Sequence, residues 1–399
     1  MPRPSSLLEP ASVVAPEIDL TPTHATVNLA HLRHNARVLH TLSEGAPLLG
    51  VVKADAYGHG AVPVARALGE VGVQHFAVAT VPEALRLRRA GIRGRILVFG
   101  APLPAFLPAY VTHDLDVTVS SAEIAEEVET LARTHGPVRV HVKIDTGMGR
   151  IGLAPGEAPA VIRRLLRAPG VTVAGIWTHF ASAGDPDGTF TREQLALFEG
   201  VVRSLDGLDA ALLHTASSSA LFHVPESVHR FDRPLVRTGL ALYGLNSRPD
   251  LTRSAGLRPV MRLTSRVTHL KTVEPGTTIS YGRTWRAERR SRIATVGAGY
   301  ADGYIRRLSN RAEVGLHGRR YPVAGTVCMD MFMVDLGAPE GPGGQVRVGD
   351  EVVLFGSGGP SAVEVARWAD TIAYEVVCGV SARVPRLYLD DAEPSETRS

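Results

Sequence analysis

Val51-Val52-Lys53-Ala54-Asp55-Ala56-Tyr57-Gly58-His59-Gly60 closes an apolar run, 48–52, that reads as a buried strand ending in a lysine and a small-residue turn. Desolvating a lysine at such a place costs free energy. Two readings are open. One is an ordinary strand-end lysine with its ammonium in water. The other is an amine whose pKa is lowered by burial and which can form a Schiff base. The residues around it have to decide.

Outward from this stretch the pattern repeats. Short β-like runs at 48–53, 75–80, 96–100, 116–120, 138–144, 171–178, 211–214 and 235–237 alternate with helical spacing of apolar residues. The helical segments include 81–89, 121–132, 157–168 and 191–205, with Ser121 and Thr191 as caps. Eight strands alternating with helices over about 200 residues predict a (β/α)₈ barrel, with a doubly wound open sheet as the alternative. After residue 250 the helices largely vanish. Short runs at 261–272, 279–281, 292–296, 313–316, 321–327, 332–335 and 351–355, separated by Gly/Pro turns, predict a mostly β domain. A helical segment, 362–378, and a last strand near 384–389 close it. The expected class is α/β: a flexible leader over 1–20, a barrel over 21–250, a β-rich C-terminal domain over 251–390 and a polar tail over 391–399.

Composition narrows the function. The 399 residues are 44% hydrophobic and 21% charged, the make-up of a globular protein with large cores. Net charge is 43 − 40 = +3 with the basic residues spread out, which does not argue for nucleic acid or an acidic membrane as partner. Two cysteines, Cys328 and Cys378, make neither a disulfide framework nor a CxxC metal spacing, and fit a reducing compartment. The first twenty residues lack the apolar core of a secretory signal. Nowhere do about 18 apolar residues run together as a membrane span requires. The expectation is a soluble, cytoplasmic protein without a metal.

A barrel keeps its chemistry where strands end and βα loops begin. The run 143–152, Lys-Ile-Asp-Thr-Gly-Met-Gly-Arg-Ile-Gly, sets Lys143, Asp145 and Arg150 around glycines, which suits a carboxylate as well as a salt-bridged turn. His179 after Trp177 is an acid, base or relay candidate, or a satisfied core histidine. The serines at 217–219 and the Thr238-Gly239 pair end the last two strands, where barrels hold phosphate. Arg237 beside them suits a phosphate, an ion pair or the ring nitrogen of pyridoxal phosphate. Being permanently protonated, it would leave that nitrogen without a proton. Glycine-rich turns at 297–299 and 355–359 lack the full nucleotide-loop patterns and read as tight turns.

Laid out together, these residues resemble the alanine racemases, fold-type III pyridoxal-phosphate enzymes. The resemblance spans about 26–388. It rests on VVKADAYGHG at 51–60, KIDTGMGRIG at 143–152, WTHFASA at 177–183 and VRTGLALYG at 236–244. In the second domain it rests on ISYGRTW at 279–285, GYADGY at 299–304, GTVCMDM at 325–331 and YEVVCGVSARVPR at 374–386. It implies pyridoxal 5'-phosphate held by Lys53 through a Schiff base, with Lys53 as the base for D-alanine and Tyr281 as the base for L-alanine. It implies that Tyr57, Ser218, Gly239, Leu240 and Tyr374 hold the phosphate and that Arg237 faces the ring nitrogen. Arg150 and the backbone at Met329 would meet the substrate carboxylate. Lys143, often carbamylated in such enzymes, would orient Arg150.

Racemisation needs a base on each face of a planar carbanion, which agrees with two bases from different places. A phenol ordinarily ionises near pH ~10, so the tyrosine needs help, and the resemblance supplies His179 as a bridge between Tyr281 and Arg237. It also implies an obligate homodimer in which Tyr281, Met329 and Tyr374 reach the barrel of the other subunit, with Tyr300 and Tyr374 narrowing the entrance. Ser217 departs from the asparagine common at that position. The rival readings are a broad-specificity or serine racemase, a pyridoxal-dependent decarboxylase, and a pyridoxal phosphate carrier. A carrier is a single barrel, so the second domain argues against it.

Overall fold

The structure, a computed structural model, describes residues 20–246 and 255–390. The leader, except its last residue, and the tail expected from the sequence lie outside the described residues.

Strands β2 (Leu48–Val51), β3 (His75–Val78), β4 (Arg95–Val98), β5 (Asp116–Val119), β6 (Val138–Lys143), β7 (Val171–Trp177), β8 (Leu212–His214) and β9 (Val236–Thr238) form one parallel sheet. Its order is β8-β7-β6-β5-β4-β3-β2-β9. Bridges between Leu213 and Pro234 and between Ser217 and Arg237 join the outer pair. The result is a nearly closed eight-stranded barrel wrapped in helices, as the alternation predicts. Strands such as β2 and β5 are buried at every residue, on both faces, which explains why they read as continuous apolar runs.

The helices begin where the sequence supplies partners for their free N–H groups. Ser121 caps Ala122–His135 by accepting from Ile124 N–H at 3.3 Å. Thr80 and Glu83 form a capping box on Val81–Arg89. Thr191 does not cap: its helix starts earlier, Thr189–Arg203, with Gly188 before it, and Thr191 is buried inside.

The second sheet runs β15 (Arg319–Pro322), β14 (Glu313–Leu316), β17 (Glu351–Phe355), β10 (Met261–Val273), β1 (His24–Asn28) and β18 (Arg386–Leu389). Strand β13 (Ser291–Val296) joins β10 to β16 (Phe332–Asp335). Strand β1 falls within the range expected for the barrel, yet it lies between β10 and β18 in this second sheet. The segment expected as one helix over 362–378 is two, Ala362–Trp368 and Ala373–Cys378, parted where Asp370 takes a positive φ of 52°. The apolar side chains of barrel and β domain form one continuous core.

Candidate active site

Strand β2 ends at Val51, and Lys53 opens the turn after it rather than closing the strand. Ala54, Asp55, Ala56 and Tyr57 all take left-handed backbone angles, with φ of 50°, 52°, 56° and 54°. Each non-glycine residue held there costs about 1–2 kcal/mol, so the turn persists only because its surroundings impose it. Ala56 N–H donates to Val52 O at 2.9 Å, and Gly60 N–H to Asp55 O at 2.8 Å. Asp55 Oδ1 accepts from Ala61 N–H at 2.8 Å. Glu83, the capping glutamate, also accepts from Ala54 N–H at 2.7 Å. The helix Ala373–Cys378 packs against the turn.

That turn forms one wall of a cavity of about 590 Å³ at the C-terminal ends of the barrel strands. Lys53, Tyr57, Arg150, His179, Ser218, Arg237, Gly239, Leu240 and Tyr374 all line it. Among the described residues none that lines it is acidic. Lys53 has its pKa lowered, first by burial and then by the charge of Arg150. Tyr57 is buried between Tyr243, 5.1 Å away between ring centroids, and Tyr374 at 5.9 Å. Tyr374 therefore belongs to the cavity of its own chain, a correction to the expectation that it serves the other subunit. The packing of its helix on the Lys53 turn puts it there.

Opposite Lys53, Ser218 Oγ accepts from the N–H groups of Gly239, at 2.9 Å, and Ala241, at 3.4 Å, tying the loops after β8 and β9 together. A Cβ on Gly239 would stand 2.7 Å from Tyr57 Oη, so only glycine lets this loop approach the tyrosine. Ser217 caps the short helix Ser218–His223 through Ala220 N–H at 3.5 Å.

Arg237 is 3% exposed. Its guanidinium donates to three carbonyl oxygens, those of His214, of Thr178 at 2.7 Å and of Thr215 at 3.0 Å. Burial, then the charge of Arg150, bring its pKa down to about 9, which leaves it protonated at neutral pH. His179 Nδ1 lies 3.3 Å from the same guanidinium. Burial, then Arg237 and Arg150, push His179 down to about 3, so its ring is neutral.

Lys143 is 1% exposed, with Nζ 4.9 Å from the centre of the Trp177 ring and 3.2 Å from Ile144 O. Arg237 Cζ is 5.2 Å from the same ring, a placement that suits cations. Among the described residues no carboxylate is paired with its ammonium, and burial, then the charge of Arg237, bring Lys143 down to about 7. Asp145 shapes the next loop by accepting from Gly147, Met148 and Gly149 N–H at 3.0, 2.8 and 3.1 Å, which sets out Arg150. Trp177 enters the sequence reading only as the end of its strand, and Asp145 only as part of a possible carboxylate seat or salt-bridged turn, not as the residue that shapes this loop. An aspartate just before a Thr-Gly pair was the available signal for such a turn.

Tyr281, Met329 and Tyr300 are not in the cavity. Tyr281 is 72% exposed and Met329 53%. The three stretches are stitched together in the β domain: Thr326 Oγ1 donates to Tyr281 O at 2.9 Å, Tyr300 N–H to Cys328 O and Ala301 N–H to Met329 O, both at 3.0 Å.

A barrel with a cavity at the C-terminal ends of its strands, lined by Lys53, Arg150 and Arg237, has the architecture of a barrel enzyme's active site. Residues 27–247 match the alanine racemase N-terminal domain and residues 260–388 the alanine racemase C-terminal domain. The chain belongs to the alanine racemase family, a family of isomerases. It is 43% identical to an alanine racemase of Halothermothrix orenii over 92% of this chain and 97% of that one. It is 45% identical to one of Symbiobacterium thermophilum, with the same coverage. The solved alanine racemase of Streptomyces coelicolor superposes with a TM-score of 0.86 at 37% identity, over 93% of this chain and 99% of that one.

Proposed function

We propose that the protein interconverts L-alanine and D-alanine with pyridoxal 5'-phosphate as cofactor, using Lys53 of one subunit and Tyr281 of a second copy as the two bases. The observation that carries this reading is the cavity that brings Lys53, Arg150 and Arg237 together with the Ser218–Gly239 junction.

The residues fit the cofactor. The narrow approach of Gly239 to Tyr57, with Ser218 and Leu240 beside it and Tyr374 against the tyrosine, makes a cradle for a phosphate that a larger side chain would fill. Arg237, buried and held by three carbonyl oxygens and by His179 Nδ1, would present a positive charge to a ring nitrogen and, staying protonated itself, would leave that nitrogen without a proton. Bound there, pyridoxal phosphate supplies an electron sink that acidifies the α-hydrogen of an attached amino acid.

The chain's own residues do the rest. Lys53, with its lowered pKa, takes and returns a proton at Nζ on the face of D-alanine. Arg150, and the Met329 backbone of the second copy, orient the carboxylate, with Lys143 behind the arginine. The neutral amine that burial gives Lys143 is the form that reacts with carbon dioxide to make a carbamate. Tyr281 lies in the open on the β domain, outside its own cavity, which suits a base delivered to a neighbouring barrel. The protein is then a homodimer with shared active sites, with Tyr300 of the second copy narrowing the entrance. Among the described residues no helix is long and apolar enough to cross a membrane. In a bacterial cytoplasm the D-alanine formed would feed peptidoglycan synthesis.

Incubating the holoenzyme with each alanine enantiomer in heavy water tests the reading. Optical rotation should decay to zero from both sides while deuterium enters at the α-carbon. Borohydride reduction should mark Lys53. No exchange, or a label elsewhere, would sink it. Parallel incubation with serine sets the breadth of the pocket.

A further inference from the structure

Beneath the cavity the barrel holds a chain of buried polar groups that the mechanism above leaves unused. Asp116, the first residue of β5, is 2% exposed and sits between Arg95 Nε at 3.2 Å and Arg139 Nε at 2.8 Å. Its Oδ2 is 3.3 Å from Nε2 of His141 on β6. His141 Nδ1 is 3.0 Å from Nε2 of His214 on β8. The His214 ring stacks on Trp177, with centroids 5.7 Å apart and planes 7° apart, and the His214 carbonyl accepts from Arg237.

The strands are shaped for this chain. The pairing of β6 with β7 slips by one residue between Val140 and His141, a bulge. The residue opposite His141 is Gly175, and a Cβ there would collide with His141 Nδ1. The slip and the glycine open the space that the ring occupies.

Donor counting assigns the protons. An ionised carboxylate only accepts, so His141 Nε2 carries a hydrogen. Between the two rings one nitrogen donates, and with that hydrogen on His214 Nε2 the Nδ1 of His141 accepts it and His214 Nδ1 is left a bare acceptor. That atom has no hydrogen-bond partner among the described residues, the tolerable case for an acceptor and a costly one for a donor. Burial and the neighbouring His141 and Arg237 hold His214 well below its ordinary pKa, in keeping with a neutral ring.

We infer that Asp116 and His141 are positioning residues for Arg237: they fix His214 in one neutral tautomer and orientation, and through its carbonyl and its stacking on Trp177 they set the plane of the arginine. This rests on the reading of Arg237 as the partner of the cofactor's ring nitrogen. Tilting that plane would change the ring's electronic state, and so the chemical step, while leaving Arg150 and substrate capture alone.

Three variants of the holoenzyme test it. Asp116→Asn keeps the shape and removes the charge that selects the tautomer, as the same change does in a serine-protease triad. His141→Leu removes both ring contacts. Arg95→Gln weakens the same corner but leaves the ring chain whole, since Arg139 still holds the carboxylate. The first two should lose kcat roughly tenfold, the scale of outer partners that orient a histidine, with KM for alanine unchanged. The absorption band of the bound cofactor should shift in wavelength or pH midpoint. Arg95→Gln should lose thermal stability with kcat and band unmoved. Equal losses of kcat in Asp116→Asn and Arg95→Gln, with the band unshifted in both, would overturn the inference. If His141→Leu does not fold, Asp116→Asn alone decides. A wild-type protein that does not racemise alanine would instead remove the function proposed above, a result visible before any variant is made.

Discussion

His179 Nδ1 faces a terminal nitrogen of Arg237 at 3.3 Å. A guanidinium can only donate, so the histidine accepts there and, being neutral, keeps its proton on Nε2. In the proposed dimer that proton would meet the Tyr281 hydroxyl of a second copy. With its pKa pushed down to about 3, His179 does not titrate in the working range. His179→Gln should therefore lower kcat for L-alanine while leaving the pH midpoints of the profile in place. A midpoint that vanishes in the variant would show that His179 titrates after all.

Sharing of sites has a direct test. Lys53→Ala and Tyr281→Phe should each be nearly inactive as homodimers, since each lacks one base. Mixed and allowed to exchange subunits in equal amounts, half the dimers are hybrid, and each hybrid holds one intact site. Activity should recover to about a quarter of the wild-type value. No recovery, with exchange verified by a tag, would place both bases on one chain.

The barrel was legible because strands such as β2 and β5 are buried on both faces and read as continuous apolar runs. Strand β1 was not: five residues, HATVN, carry no pattern, and their partners Thr264 and Arg386 come from the far end of the chain. Lys53, Arg237 and Ser218 could be placed because they stand at strand ends, where this fold exposes side chains. The resemblance sends Tyr374 to the other subunit, and no local pattern reveals that its helix packs on the Lys53 turn of its own chain. The left-handed turn at Ala54–Tyr57 is invisible to a local reading, since of its four residues only Asp55 is of a type that tolerates that conformation, and Glu83 and the helix Ala373–Cys378 that help to hold it come from elsewhere in the chain. The pairing of His141 with His214 needs a bulge that no local pattern announces.

The same turn makes a stability prediction. Ala54 has φ 50°, where an alanine is strained by about 1–2 kcal/mol and a glycine is not. Ala54→Gly should raise the unfolding free energy, by less than that strain because the unfolded chain gains freedom. Racemisation should fall as Lys53 loses its fixed position. Urea unfolding and kcat measured on one preparation check both signs, and a loss of stability would mean that the strain lies elsewhere.

Gly239 limits the phosphate cradle. An alanine there meets Tyr57 Oη at 2.7 Å, and Tyr57 is boxed in by Tyr243 and Tyr374 and has little room to yield. Gly239→Ala should weaken cofactor retention on dialysis more than it lowers kcat at saturating cofactor. Retention equal to wild type would mean that the phosphate sits away from this junction.

Acid should weaken the fold through a histidine outside the reaction. His59 is fully buried, stacks on Tyr243 at 4.4 Å and donates Nδ1–H to the carbonyls of Ala56 at 3.0 Å and Tyr57 at 2.9 Å. Burial pushes its pKa down to about 4, against a smaller opposite pull from those carbonyls. The folded value lies below the unfolded one, ~6.5, so the unfolded chain binds the extra proton first. The contribution is complete above the unfolded pKa and drains away as pH falls toward the folded one. At about pH 5 the loss is on the order of 2 kcal/mol. His59→Asn should be less stable than wild type at neutral pH, because the stacking is lost, but should lose less on going to that pH. Holoenzyme unfolding at matched protein concentration gives the two slopes. Parallel slopes would show that His59 is protonated in the folded protein, which would require a second acceptor at Nε2.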